Sequence, residues 1–220
     1  MVAGSTFGCR SEQSNQTLPL HRHETTPHPA YATRAVEPAR LPQALFVEYV
    51  STPHDVVNRM LALARLTRDD VLYDLGCGDG RILVAAARKY GCRAVGYDLD
   101  PLRVNEARAN ARRHGVTDRV TVELRDIFEV DLSEATVVTL YLGTELNARL
   151  LPALRQLTPG VRIVSHDFGL ADIPPDKVVK TFSREDRRQH MLYRWTCPLR
   201  SAPETANPAA RGRSAEEMRK

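Results

Sequence analysis

Val71-Leu72-Tyr73-Asp74-Leu75-Gly76-Cys77-Gly78-Asp79-Gly80-Arg81 decides the fold. A short apolar run breaks into three alternate glycines and then into Ile82-Leu83-Val84-Ala85-Ala86-Ala87. That order predicts a buried strand, a tight turn and a packed helix over about 80–90, which Gly91 ends as a C-terminal glycine should. Downstream the rhythm repeats. Residues 93–98 read as a second strand, and Asp100-Pro101 opens a helix that continues to His114 before Gly115 stops it. Residues 120–124 alternate as a third strand, and 136–142 form a β-branched, apolar fourth. A helix over about 144–157, kinked or divided by Pro152, and a fifth strand at 161–165 follow.

Upstream, Thr52-Pro53-His54-Asp55 reads as a helix start, with Thr52 as N-cap, Pro53 at the first helical position and Asp55 closing a capping box. The helix is expected to run to about Leu66, with Val56, Val57, Met60, Leu61, Leu63 and Ala64 on its packed face. Strands alternating with helices imply βαβ crossovers and a parallel sheet. The end of the chain differs, because 177–182 and 190–196 are separated only by a polar loop and should pair as an antiparallel hairpin at one edge. The expectation is an α/β fold: a doubly wound, seven-stranded, mainly parallel sheet with an antiparallel C-terminal edge hairpin and helices on both faces. Residues 41–200 form this domain. Residues 1–40, with His21, His23 and His28, and residues 201–220 lack a periodic apolar face and read as disordered tails.

At 220 residues one such domain can bury roughly 70% of its unfolded surface. The net charge of +4 is spread in both signs rather than blocked, which argues only weakly for a nucleic-acid partner. Cys9, Cys77, Cys92 and Cys197 show no CxxC pair and no metal-ligand spacing, so free thiols and no metal site are expected. No stretch has the ~20 apolar residues of a membrane span, and no apolar signal segment stands near the start, so a cytoplasmic location is the default.

In a doubly wound sheet the first loop faces the ligand. Dinucleotide enzymes use G-x-G-x-x-G, but here Gly76-x-Gly78-x-Gly80 is followed by Arg81 where the third glycine of that pattern would fall. Asp74 just before the glycines would repel a pyrophosphate and favour a cationic group. S-adenosylmethionine, with an ammonium, a sulfonium and a ribose but no phosphate, fits.

On these residues the sequence resembles the class I methyltransferases, whose first motif is D/E-x-G-x-G-x-G, over essentially all of 41–198. With Tyr49-Val50-Ser51-Thr52-Pro53 before the first helix, it is most similar to small prokaryotic relatives of the ATP synthase c-subunit lysine methyltransferases, themselves similar to the non-SET histone lysine methyltransferases. The resemblance implies S-adenosylmethionine as cofactor, with Gly76, Gly78 and Gly80 forming its bed. It implies Asp98 at the end of the second strand for the ribose hydroxyls, and Asp126 with Ile127 and Phe128 for the adenine. Asp100 is explained as a helix N-cap. Asp74 either contacts the ligand ammonium or closes a turn, and Asp126 either contacts adenine or is an ordinary strand-end residue. Tyr49 and Thr52 read as an anchor and a cap, to which the resemblance adds closure over the methionine end.

The acceptor should enter through Tyr141-Leu142-Gly143-Thr144-Glu145 and Ser165-His166-Asp167-Phe168, with Tyr141, His166 and Asp167 as candidate catalytic residues. His166 and Asp167 act as base or amine holder, or only order their loop, and Glu145 could steer a cation. Base-amine methyltransferases carry an Asn/Asp-Pro-Pro-aromatic motif after the fourth strand, and its absence counts against DNA. A protein amine, lysine above all, is the favoured acceptor. A small molecule or RNA is the alternative, with a binding module without turnover or a nicotinamide enzyme behind it.

Overall fold

The computed structural model describes residues 49–201, so the two terminal tails and the expected onset of order near Leu41 lie outside the described residues, Ser201 excepted. The glycine-flanked run folds as expected: β1 (Val71–Leu75) leads through the loop into α2 (Arg81–Tyr90), which follows α1 (His54–Leu63). The chain continues through β2 (Arg93–Asp98), α3 (Pro101–Arg113), β3 (Val120–Leu124), a 3-10 turn at Ile127–Glu129, β4 (Val137–Leu140), α4 (Thr144–Leu154), β5 (Arg162–His166), β6 (Lys177–Phe182) and β7 (Gln189–Thr196).

The strands form one sheet in the order β3-β2-β1-β4-β5-β7-β6. β1, β2, β3, β4 and β5 are parallel, while β7 runs antiparallel to both β5 and β6. Strand order therefore reverses between β1 and β4, which is where an open α/β sheet offers its ligand crevice. Right-handed crossovers that step in opposite directions from that point put α2 and α3 on one face and α4 on the other. Val56, Met60 and Leu61 of α1 join Leu83 and Ala87 of α2, Ala107 and Ala111 of α3, and Leu72, Val137, Val164 and Leu192 of the sheet in one core.

Local chemistry explains most boundaries. The Asp100 carboxylate accepts the Leu102 N–H at 2.8 Å and caps α3 ahead of Pro101, while Gly91 ends α2 in the left-handed region, with φ 72°. Gly96, in mid-strand on β2, has a different task. A methyl group there would run into Leu83 Cδ1 and lie 2.8 Å from both Cβ and Sγ of Cys77. Gly96→Ala is therefore expected to lower stability by about 1–3 kcal/mol through overpacking, read as a lower urea midpoint at unchanged slope.

The start of α1 departs from expectation. Thr52 does not cap it, because its hydroxyl is turned to the ring of His166, and Asp55 closes no capping box because its carboxylate takes Ser183 Oγ and the Arg184 N–H. The cap comes from far along the chain: Glu185, in the β6–β7 turn, accepts the N–H groups of His54 and Asp55 at 2.9 and 3.0 Å. α1 also ends at Leu63 rather than Leu66, where Arg65 enters positive φ. β4 is shorter than its apolar run, and α4 passes Pro152 undivided before ending at Leu154.

Candidate active site

The carboxyl ends of β1, β2, β3, β4 and β5 gather the residues singled out in the sequence onto one rim. Gly76, Gly78 and Gly80 all have positive φ (78°, 53° and 74°), so the loop takes a shape that side chains resist. The N–H groups of Gly76 and Cys77 both reach the Tyr97 carbonyl at 2.9 Å. At the centre of the loop the Gly78 N–H donates to Asp98 Oδ2 at 2.8 Å, and Asp98 Oδ1 accepts the Asp100 N–H at 3.0 Å. A carboxylate thus already sits where a phosphate-binding loop presents free amides, which suits a ligand with hydroxyls and positive charge rather than phosphate.

Asp74 faces Thr139 in register across β1 and β4, and its Oδ1 accepts the Thr139 hydroxyl at 2.7 Å. The residue is 2% exposed, and its second oxygen, Oδ2, has no partner. Burial pushes its carboxyl up to about 7; the charges of Asp98 and Asp79 act in the same direction and the Thr139 bond against it. An orphaned, desolvated carboxylate oxygen beside a glycine bed is a match for a cationic ligand group. Asp126 Oδ1 accepts the Phe128 N–H at 3.0 Å and so caps the 3-10 turn, Ile127 is buried beside it, and the guanidinium of Arg149 stacks 4.0 Å from the Phe128 ring centre.

The segment before α1 lies across this loop. The Tyr49 ring covers Gly78 so closely that a Cβ there would collide with it, and Arg103 stacks on the same ring at 4.6 Å. Arg81 donates to the Thr52 carbonyl at 2.8 Å while paired with Asp79 at 2.7 Å. Asp79 and Arg81 therefore fasten the segment to the loop.

Beyond the ends of β4 and β5, Tyr141 stacks on His166 with 3.9 Å between ring centres and faces Phe168 at 6.0 Å. His166 is fully buried, and burial pushes its imidazole down to about 4. Its Nδ1 lies 3.1 Å from Thr52 Oγ1 and its Nε2 lies 2.9 Å from His190 Nδ1. Asp167, at φ 58°, accepts the Met191 N–H through Oδ1 and turns Oδ2 toward both rings. His190 and Asp186 escape a reading of the sequence because they stand on the last strand and its turn, far along the chain from His166. A histidine on the inward side of β7, aligned with buried Leu192, was the available signal. Glu145 is exposed at the start of α4.

A groove of about 380 Å³ lies elsewhere, along the outer side of α2, with His54, Arg81, Arg88, Lys89 and His114 among its walls. Cys77, Cys92 and Cys197 are buried free thiols, and among the described residues no helix is long and apolar enough to cross a membrane.

Comparison with known proteins identifies relatives of the chain. Residues 74–177 match the family model described as the ANTKMT methyltransferase domain. A protein-lysine N-methyltransferase of Saccharolobus islandicus (strain REY15A) is 45% identical over 149 residues, 67% of this chain and 91% of that protein. The ATP synthase c-subunit lysine N-methyltransferase of Xenopus laevis is 31% identical over 150 residues, 68% of this chain, and the match spans 65% of that relative's length. A crystal structure described as an RNA methyltransferase from Salinibacter ruber in complex with S-adenosyl-L-homocysteine superimposes with a TM-score of 0.64 at 49% identity, covering 72% of this chain and 99% of that one.

Proposed function

The chain belongs to the S-adenosylmethionine-dependent methyltransferases, and from that premise we propose that it transfers a methyl group to the side-chain amine of a protein lysine. The observation that carries the acceptor is the 45% identity to a protein-lysine N-methyltransferase over 91% of that protein's length. The rim supports it in chemical terms. Tyr141 and Phe168 offer aromatic faces, which receive an alkylammonium stem.

On this reading Asp98 accepts from the ribose hydroxyls, and Asp74 Oδ2 receives the ammonium of the methionine moiety. Asp126 and Ile127 hold the adenine. Gly76, Gly78 and Gly80 let the backbone approach, and Tyr49 and Thr52 close the site from above. S-adenosylmethionine supplies a methyl group on an electron-poor sulfur, so the protein's own contribution is orientation and exclusion of water. Tyr141 and Asp167 line the acceptor entrance, while His166, with no exposed surface, is a positioning residue that holds Thr52, Tyr141 and Asp167 in place.

Labelled S-adenosylmethionine and a lysate of the source cell test the proposal. Label is expected in protein, stable to acid and base, and recovered as N-methyl-lysine. A second reading, RNA as acceptor, draws on the cationic groove along α2 and on the name of the Salinibacter ruber relative. Label that is released by ribonuclease, with affinity falling steeply as salt rises, would replace the lysine reading with that one.

A further inference from the structure

Beneath the acceptor rim, three potential ligand atoms converge from two neighbouring strands. His166 Nε2, His190 Nδ1 and Asp167 Oδ2 are separated by 2.9, 3.3 and 3.2 Å. Two of these edges fall within, and the third just short of, the roughly 3.0–3.4 Å between adjacent ligands that each stand about 2.1 Å from one ion. The antiparallel β5–β7 pairing creates the triangle: His166 is in register with Leu192, and Asp167 is held to Met191 by bonds from N–H to carbonyl and from Met191 N–H to Oδ1. Asp167 Oδ2 is thereby left pointing at the two rings.

The outer hydrogen bonds fit the same purpose. Asp186 can only accept, so its 3.0 Å contact takes a proton on His190 Nε2, and an ion at the centre would take Nδ1 in place of a proton shared with Asp167. Thr52 Oγ1, 3.1 Å from His166 Nδ1, can donate or accept, so His166 can keep its proton on either nitrogen. With the proton on Nε2 it is shared inward toward His190 and Asp167. With the proton on Nδ1 it goes to Thr52, and three acceptor atoms face one another, an arrangement that calls for a cation. A histidine oriented by a carboxylate and another by a hydroxyl is the outer arrangement that fixes tautomers around metal ions.

We propose that His166, His190 and Asp167 form the three-ligand face of a site for a divalent transition metal, zinc by ligand type. Two imidazoles and one carboxylate are borderline donors that suit zinc over calcium or magnesium, whose shells are built from oxygen. His166 and His190 are 0% and 5% exposed whereas the Asp167 side chain is 29% exposed, so the face reaches solvent on its Asp167 side and joins β5 to β7. The site stands independently of whether the acceptor is lysine.

The test uses the full chain, stripped with chelator and titrated with zinc by calorimetry and with cobalt by visible absorption. One equivalent is expected to bind, with a d–d spectrum of low-symmetry coordination and a higher melting temperature. Asp167→Asn, which keeps the oxygen that accepts the Met191 N–H, and His190→Gln are each expected to weaken binding by about a hundredfold or more. Long-range nitrogen–proton NMR should show the His166 proton on Nδ1 at saturating zinc. Replacing His21, His23 and His28 together by glutamine should leave the titration unchanged. Absence of one-equivalent binding, binding that survives both site variants with the fold intact, or binding lost with the tail histidines instead would overturn the proposal. A retained Nε2 proton at saturating zinc would do the same.

Discussion

Asp98→Ala is expected to abolish measurable binding of S-adenosylhomocysteine, a loss of at least a hundredfold. The carboxylate at the end of β2 does two things at once. It anchors the centre of the glycine loop through the Gly78 N–H, and on the reading above it accepts from the ribose. Hydrogen bonds to a charged group are worth about 1.5–3 kcal/mol each, so losing two ligand bonds costs roughly 3–6 kcal/mol, or about two to four decades in affinity. Asp98→Asn should fall between, since an amide keeps only one acceptor oxygen. Asp100→Ala is the control. It removes the N-cap of α3, costs about 1 kcal/mol of stability and leaves calorimetric binding in place. Binding within tenfold of wild type in a folded Asp98→Ala protein would take Asp98 out of the cofactor site.

Asp74→Asn should separate affinity from stability. The folded protein holds the Asp74 carboxyl at about 7, raised from 3.8 by burial. A carboxyl raised in this way favours the folded state most at low pH, and that contribution is lost as pH climbs from about 4 through 7. Asparagine imitates the neutral form at every pH, at the cost of one unpaired buried N–H. Thermal denaturation without ligand is therefore expected to find the variant more stable than wild type at pH 8, by about 1–3 kcal/mol, with the margin shrinking toward pH 5. Affinity should move the other way. Only the ionised oxygen pairs with an ammonium, so the variant should lose about ten- to a hundredfold in S-adenosylhomocysteine binding at pH 8, and wild-type binding should weaken as pH falls below 7. Equal affinity of both proteins, with no pH dependence, would leave Asp74 as a carboxylate that merely closes a turn.

The sheet and the glycine loop were legible because they are written locally. Periodicity, glycine spacing and the Asp-Pro pair each act over a few residues, so β2, β3 and β6 begin and end where the sequence places them. The acceptor side is assembled differently. Thr52 carries every mark of an N-cap, yet it serves His166 because Glu185, invisible from that distance, supplies the cap. Thr139 reads as one β-branched residue within an apolar strand, and only the β1–β4 register reveals it as the partner of Asp74. The histidine–aspartate triangle has no spacing signature at all, because an antiparallel strand brings His190 back beside His166.

The remote cap on α1 also sets a timetable for synthesis. Its two hydrogen bonds join positions 131 and 130 residues apart, so no nascent chain that stops short of Glu185 can form them. At about 5–20 residues per second, roughly 6 to 26 seconds separate the first helix from the group that caps it. The glycine loop and its Asp98 anchor need nothing beyond Asn110, and the Asp74–Thr139 pair needs nothing beyond β4. On the ribosome, the glycine loop and the Asp74–Thr139 pair are complete in sequence well before the histidine–aspartate triangle exists.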